Sequence, residues 1–306
     1  MPHEVVKADA DVIGDVLLKK SVPLGTRVKI SGVVPLINVN FYFHFAPFSI
    51  TDDIICRRGY FVIFGAFMKD LQRIMSFIRR AVDDYGMIED GDRIAVGISG
   101  GKDSLALLAG LAEMRRFYPK KYDIVAITVD MGFEGQDFSE IEEFCRRFHV
   151  EYRIVKTEIA KIIFEVRKEP NPCSLCAKMR RGSLHEAAVN AGCNKVALGH
   201  HFDDAVETFM MNLFFEGRLG CFSPVSYLSN RKITLIRPLL YATEKDVKYF
   251  ARRTNLPVLT SLCPEDHATE RENMKNLLAE IEKTNKGVKH RIFNAMCKGE
   301  IDGFRL

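Results

Sequence analysis

From Met68 onward, apolar residues recur at helical spacing through Leu71, Ile74, Met75, Ile78 and Val82, and a glycine at position 86 is placed to stop that helix. The chain then alternates between short apolar runs and amphipathic stretches. Strands are predicted at 93–98, 123–129, 151–155, 195–198 and 233–236, and helices at 105–117, 138–148, 177–190, 204–215 and 244–254. Short strands separated by helices of this length imply parallel pairing through right-handed crossovers. The fold class expected is α/β, a doubly wound and mostly parallel Rossmann-like sheet. A small helical C-terminal extension follows over 270–306, broken near Gly287 and carrying Lys283, Lys286, Lys289, His290, Arg291 and Lys298.

The first 67 residues do not share this pattern. Residues 30–51 contain no Asp, Glu, Lys or Arg, which raises the question of a membrane span. Pro35, Pro47, Asn38, Asn40, His44 and Ser49 interrupt the run and weigh against one. The stretch also starts too late, and lacks the small-residue cleavage site, for a secretory signal. The division expected is therefore an extension over 1–67, with Met68 as the true start, then a catalytic domain over 68–269 and the helical extension.

Composition adds limits. The chain has 306 residues, 47% of them hydrophobic, and a formal net charge of +4, so any nucleic-acid binding must come from local basic patches. Eight cysteines are too few for a disulfide scaffold, and a reducing cytoplasmic setting is the default.

The chemistry begins at Ser99-Gly100-Gly101-Lys102-Asp103-Ser104, between a predicted strand and a predicted helix. Consecutive backbone N–H groups at a helix start attract an anion, glycines let the backbone touch it, Lys102 adds charge, and Ser99 and Ser104 add hydroxyls. This is not a Walker A loop, since Val96 stands where its first glycine belongs and Asp103 follows the lysine. The hexapeptide resembles the signature of the PP-loop ATPases, which bind ATP and transfer AMP to a substrate oxygen with release of pyrophosphate. The resemblance implies a nucleotide-side role for Asp130, at the end of the second strand, and for Gly199 and His200 in Gly199-His-His-Phe-Asp-Asp204. It implies a catalytic role for Lys102 and Asp103, and for Asp203 or Asp204 in holding Mg²⁺ or assisting adenylation. Capping of a helix accounts equally well for the last two by position alone, and His200 and His201 can equally be packing residues.

Cys173 and Cys176, in Asn-Pro-Cys-Ser-Leu-Cys, can aim two thiolates at one point, and Cys263 is the natural third ligand if its segment folds back over the strand ends. Three thiolates suit an iron–sulfur cubane with one open iron, or a zinc completed by His267, against the alternative on spacing alone of three unrelated buried cysteines. The surrounding segments, Pro172-Cys-Ser-Leu-Cys-Ala-Lys-Met-Arg-Arg-Gly182, the Gly-His-His-Phe-Asp-Asp run, Ile236-Arg-Pro-Leu239 and Cys263, resemble the tRNA 2-thiocytidine synthetase (TtcA-like) group of PP-loop sulfurtransferases. The resemblance implies a 4Fe-4S cluster on the three cysteines, whose free iron carries the sulfur, and adenylation of the C2 oxygen of an anticodon-loop cytidine in tRNA before sulfur displaces AMP. Cys56, Cys145, Cys193, Cys221 and Cys297 match none of these motifs.

Two departures are visible. The extra cysteine pairs of uridine-thiolating relatives are missing, which favours the cytidine branch, and only one cysteine stands in Thr260-Ser-Leu-Cys263 where the group usually has two. The expected partners are tRNA and a sulfur donor such as a cysteine desulfurase or sulfide. No membrane is expected, and a homodimer is among the assemblies open to such a chain. Lys178, Arg180 and Arg181 offer phosphate contacts beside the cysteines, against the alternative of a solvated helix face; Arg231, Lys232, Arg252 and Arg253 are weaker candidates. Competing readings are a PP-loop ligase or amidotransferase, a sulfur-inserting enzyme for a small metabolite, and a non-catalytic ATP or redox sensor.

Overall fold

In the computed structural model, residues 58–170, 172–264 and 270–305 are described, with side chains from Asp70 onward. The uncharged 30–51 stretch, Cys56 and His267 lie outside them. The chain runs α1 (Arg58–Tyr85), β1 (Asp92–Gly97), α2 (Lys102–Met114), β2 (Tyr122–Asp130), α3 (Ser139–Arg147) and β3 (Glu151–Lys156). A helical turn at Ile159–Lys161 and a π-turn at Ile162–Val166 lead into α4 (Pro172–Asn190). There follow β4 (Lys195–Ala197), α5 (Phe202–Phe215), β5 (Val225–Leu228), β6 (Ile233–Ile236), α6 (Glu244–Thr254), α7 (Glu270–Thr284), α8 (Val288–Lys298) and a 3₁₀ turn.

The sheet order is β3-β2-β1-β4-β6-β5, parallel except where β5 runs antiparallel to β6. The chain leaves β1 toward β2 and β3, then crosses back to lay β4 on the other side of β1. That reversal opens a crevice beyond the carboxyl ends of β1 and β4, where open α/β sheets bind ligands.

Both faces of the sheet are covered. Leu71, Ile74, Met75, Ile78 and Val82 of α1 are buried as their spacing predicts, against Leu105, Leu107, Leu108 and Leu111 of α2. Each such leucine contributes roughly 1.5–3 kcal/mol by leaving water. Gly86 closes α1 at φ +58°, the left-handed conformation that suits a helix C-terminus. The opposite face is smaller: Ala95, Val125, Ile127, Val196 and Leu235 of the strands meet Leu184 and Ala188 of α4.

Three elements differ from the sequence expectation. Helix α1 already runs from Arg58, so position 68 falls inside a helix. Helix α4 starts at Pro172, which places both Cys173 and Cys176 on its first turns. Strand β5 was not expected, being four residues long and paired on one edge only. Among the described residues no helix is long and apolar enough to cross a membrane.

Candidate active site

The turn after β1 braces itself through its serines, the Gly101 N–H donating to Ser99 Oγ (3.3 Å), and leaves the first N–H groups of α2 uncapped. Ile98 still donates to the carbonyl of Ile127 (2.8 Å), and the chain then leaves the sheet. Ser104 Oγ accepts from the Ser99 N–H (3.2 Å) and donates to the Gly101 carbonyl (2.9 Å), closing the loop on itself. Gly101 is the N-cap of α2 and provides no side chain to satisfy the helix's first N–H groups. Those donors and the helix dipole face the crevice, as anion binding requires.

Two glycines make this geometry accessible. Gly100 sits at φ +81°, and a Cβ there would press on the Leu259 side chain at 3.0–3.2 Å. Gly199, at the end of β4, lets that strand touch the backbone of α2, since a Cβ would lie 3.1 Å from Asp103 C and Ser104 N. The phosphate turn and the Gly199-His200 segment are therefore in direct contact across the crevice.

The carboxylates are divided by what holds them. Asp103 pairs with Lys102 through Oδ2 (2.9 Å), while its buried Oδ1 has no hydrogen-bond partner among the described residues. His201 caps α5: its Nδ1 accepts from the Asp204 N–H (3.3 Å), and its own N–H donates to Asp204 Oδ2 (2.9 Å). The Nε2 of His201 lies 3.8 Å from Asp103 Oδ1, so the histidine stands between two acidic side chains. The other oxygen of Asp204 meets Arg271 of α7 (3.2 Å). Buried Asp203 is fully engaged, accepting from the Glu244 N–H (2.7 Å) and from Lys289 Nζ (2.7 Å). Asp130 ends β2 half-buried; its Oδ1 accepts from the Gly132 N–H (2.9 Å), and its carbonyl accepts from Thr157.

Burial, helped by the nearby Arg237 charge, pushes His200 down to about 4, so its imidazole is neutral at pH 7. Its ring lies 4.9 Å from Phe222, on which the buried Arg237 guanidinium also stacks. Arg237, from the Ile-Arg-Pro-Leu run after β6, donates to the Ser223 carbonyl.

Cys173 is exposed, and Cys176 and Cys263 are partly exposed. The segment carrying Cys263 does return to the strand ends: the Leu259 N–H donates to the Gly100 carbonyl (2.9 Å), tying it to the phosphate turn. Cys176 is raised by burial and lowered by Arg180, and the charges of Cys263 and Cys173 both raise it further. The three thiols thus share one neighbourhood, although no three His, Cys, Asp or Glu side chains among the described residues converge at metal-ligand separation. Thiolates are the donors that an iron–sulfur cluster takes, and in donor chemistry alone the three cysteines fit one.

Sequence reasoning missed Glu207, Glu244, Arg271 and Lys275. Glu207, one turn beyond Asp203 and Asp204, is buried and pushed up to about 7, by burial first and by the Asp204 charge second. Its signal was available: it is the one charged residue in Ala205–Phe215, an otherwise apolar or neutral stretch of α5. The other three are set by tertiary packing, with Arg271 also donating to Thr208 Oγ1 (3.1 Å) and Lys275 reaching Glu244 (3.0 Å).

Residues 71–281 match the PP-loop domain family. A tRNA-cytidine(32) 2-sulfurtransferase from Geobacter sulfurreducens is 42% identical over 228 residues, covering 74% of this chain and 89% of the relative. One from Geotalea daltonii is 42% identical over 229 residues, covering 74% and 91%. Among solved structures, the U34-tRNA thiolase NcsA from Methanococcus maripaludis with its 4Fe-4S cluster superposes with a TM-score of 0.62 at 27% identity, covering 75% of this chain and 77% of that one. With a phosphate turn of this construction, this sheet order and relatives aligned along most of both sequences, the chain belongs to the PP-loop ATPases, in the family of the tRNA-cytidine(32) 2-sulfurtransferases.

Proposed function

We propose that this protein is an ATP-dependent tRNA sulfurtransferase that adenylates the C2 oxygen of an anticodon-loop cytidine, position 32 in its relatives' name, and exchanges that oxygen for sulfur. The observation that carries the reading is the bond from Leu259 to Gly100, which brings the Cys263 segment onto an uncapped phosphate turn.

The C2 oxygen of a pyrimidine is a poor leaving group, and adenylation makes it part of AMP. The amide of Gly100, the first N–H groups of α2, the hydroxyl of Ser99 and the ammonium of Lys102 bind the triphosphate, while Ser104 and the Gly101 N–H, which donates to Ser99 Oγ (3.3 Å), brace the loop. As the bond from the α-phosphorus to the bridging oxygen breaks, Lys102 stabilises the charge growing on the departing pyrophosphate. Asp103 and Asp204 offer hard oxygens that suit Mg²⁺, which when bound would neutralise phosphate charge. Asp203 acts at one remove, fixing the start of α6 and Lys289. Asp130, Gly199 and His200 line the nucleoside side, and the neutral His200 serves as a hydrogen-bonding group rather than an acid.

Cys173, Cys176 and Cys263 would hold a 4Fe-4S cluster, which when bound supplies an iron without a protein ligand that can take sulfide. C2 gains a bond to sulfur and loses its bond to the AMP oxygen. Sulfide, or a cysteine desulfurase, is the donor we propose, in the reducing cytoplasm that free thiols require. Lys178, Arg180 and Arg181, on the helix that carries the cysteine pair, are suited to the RNA backbone. A base in an anticodon loop is already outside a duplex, so presenting it costs at most a few kcal/mol.

Nucleoside mass spectrometry of tRNA from a deletion strain tests the reading. Loss of 2-thiocytidine, restored by the gene, is the expected result; unchanged 2-thiocytidine would refute it, and loss of a thiouridine instead would move the substrate.

A further inference from the structure

Glu244 opens α6 beside the phosphate turn, and three lysines from three helices converge on its Oε1. Lys248, one turn along α6, stands at 3.0 Å, Lys275 of α7 at 3.0 Å, and Lys102 of α2 at 3.8 Å. Burial by itself would raise the Glu244 carboxyl, but hydrogen bonds from Lys248 and Lys275 hold it at about 2, so it is fully ionised at neutral pH. One carboxylate and the shared Asp103 leave three ammonium groups short of negative charge. A cavity of about 430 Å³ opens alongside, lined by Asp203, Thr243, Glu244, Lys245, Lys248 and Tyr249 among others. Lys248 and Glu244 line that cavity, whereas Lys102 and Lys275 lie outside its lining and join it through their shared contact with Glu244 Oε1.

We propose that Lys102, Lys248 and Lys275 together form the seat of the terminal phosphates of ATP and of the pyrophosphate released, and that Glu244 competes with those phosphates for the same three ammonium groups. This rests on the ATP-dependent reading above and extends it to two lysines and a carboxylate outside the phosphate turn. Pyrophosphate carries several negative charges against one on Glu244, so it wins the lysines when present at sufficient concentration. After the phosphoanhydride bond breaks, the pyrophosphate is no longer tethered to the nucleoside, and a carboxylate already in place takes back the lysines as it departs. Glu244 would then speed product release at the expense of phosphate affinity.

Calorimetric titration of the full chain with inorganic pyrophosphate, with ATP and with unmodified tRNA tests this. Lys248→Ala and Lys275→Ala should each weaken pyrophosphate binding by about tenfold or more, as losing a charge-assisted contact does. Lys275→Arg should retain most of the affinity, and neither alanine change should weaken tRNA. Glu244→Gln keeps the shape and removes the competing charge, so it should tighten pyrophosphate binding several-fold. A Glu244 that only braced the fold would give the opposite sign, and weaker or unchanged binding in a folded Glu244→Gln protein would overturn the proposal. Weakened tRNA binding with intact pyrophosphate binding in the lysine variants would assign the cradle to RNA phosphates and overturn it as well. If the wild type binds neither ATP nor pyrophosphate, the nucleotide reading itself falls; if it binds both and the variants match it, only the cradle falls.

Discussion

Glu207→Gln should make the protein more stable at alkaline pH than the wild type, with little effect in acid. Glu207 is 4% exposed, and the nearest cation, Arg271, stands 3.9 Å away and is shared with Asp204. Burial dominates, and the carboxyl is raised from 4.5 to about 7. Below pH 4.5 the group is protonated whether the chain is folded or not, and it contributes no difference. Between 4.5 and 7 the unfolded chain releases the proton while the folded one keeps it, so stability falls as pH rises through that window and stays lower above it. One pKa unit is about 1.4 kcal/mol, so the full cost is on the order of 3 kcal/mol. Glutamine has the same shape and no charge to desolvate. Urea unfolding of both proteins at pH 5 and pH 8.5 reads the effect: the variant should gain up to about 3 kcal/mol relative to the wild type between the two pH values. A stability difference that does not change with pH, or that moves against the variant at pH 8.5, would refute the reasoning and make the contact with Arg271 dominant over burial.

Gly199→Ala should weaken ATP binding while leaving the fold intact, because its Cβ would sit 3.1 Å from the backbone of the phosphate turn, which must shift by tenths of an ångström; unchanged ATP affinity would separate β4 from the turn. Lys102→Ala and Asp204→Asn should each slow pyrophosphate release by about 10²–10³-fold, the usual loss for one transition-state contact, without altering iron content; normal release rates would remove both from the mechanism. Anaerobically prepared protein should be brown, and any of Cys173→Ser, Cys176→Ser and Cys263→Ser should bleach it yet leave ATP binding; stoichiometric zinc in a colourless protein after anaerobic reconstitution would overturn the cluster.

The parts of this site legible in the sequence are those whose geometry is local. Ser99 to Ser104 sit between a strand and a helix, so one stretch of chain specifies the turn, the uncapped helix start and its lysine. The Cys173 and Cys176 pair is similarly local, on adjacent turns of α4. The return of Cys263 was inferred from residue type and resemblance, and its physical cause, the Leu259 bond to Gly100, involves two segments far apart in sequence. Periodicity marks which face of a helix is buried but not which residue of another helix meets it. For that reason Glu207 was detectable as an anomaly on α5, whereas its partner Arg271 was not. Strand β5 fails for a different reason: Val225-Ser-Tyr-Leu is too short and too weakly alternating to stand out from a loop, and only pairing with β6 makes it a strand.

The crevice beyond the strand ends gathers Asp103, Asp203, Asp204 and Glu244, with Glu207 raised to about 7 beside them, a concentration of negative charge that by itself would repel a triphosphate. Lys102 alone cannot offset four carboxylates. Lys248 meets Glu244, and further compensation comes from beyond residue 270: Arg271 meets Asp204, Lys275 meets Glu244, and Lys289 meets Asp203. Leu278 and Phe293 bury those helices in the main core, so the cations are held by packing and not by charge alone. A basic C-terminal segment that reads in sequence as solvated surface, or as a general RNA-binding patch, therefore has Lys289 turned inward with Arg271 and Lys275. Those pairs set positive charge among the strand-end carboxylates, and among the described residues Asp103 Oδ1 is a buried carboxylate oxygen without a hydrogen-bond partner, open to a cation.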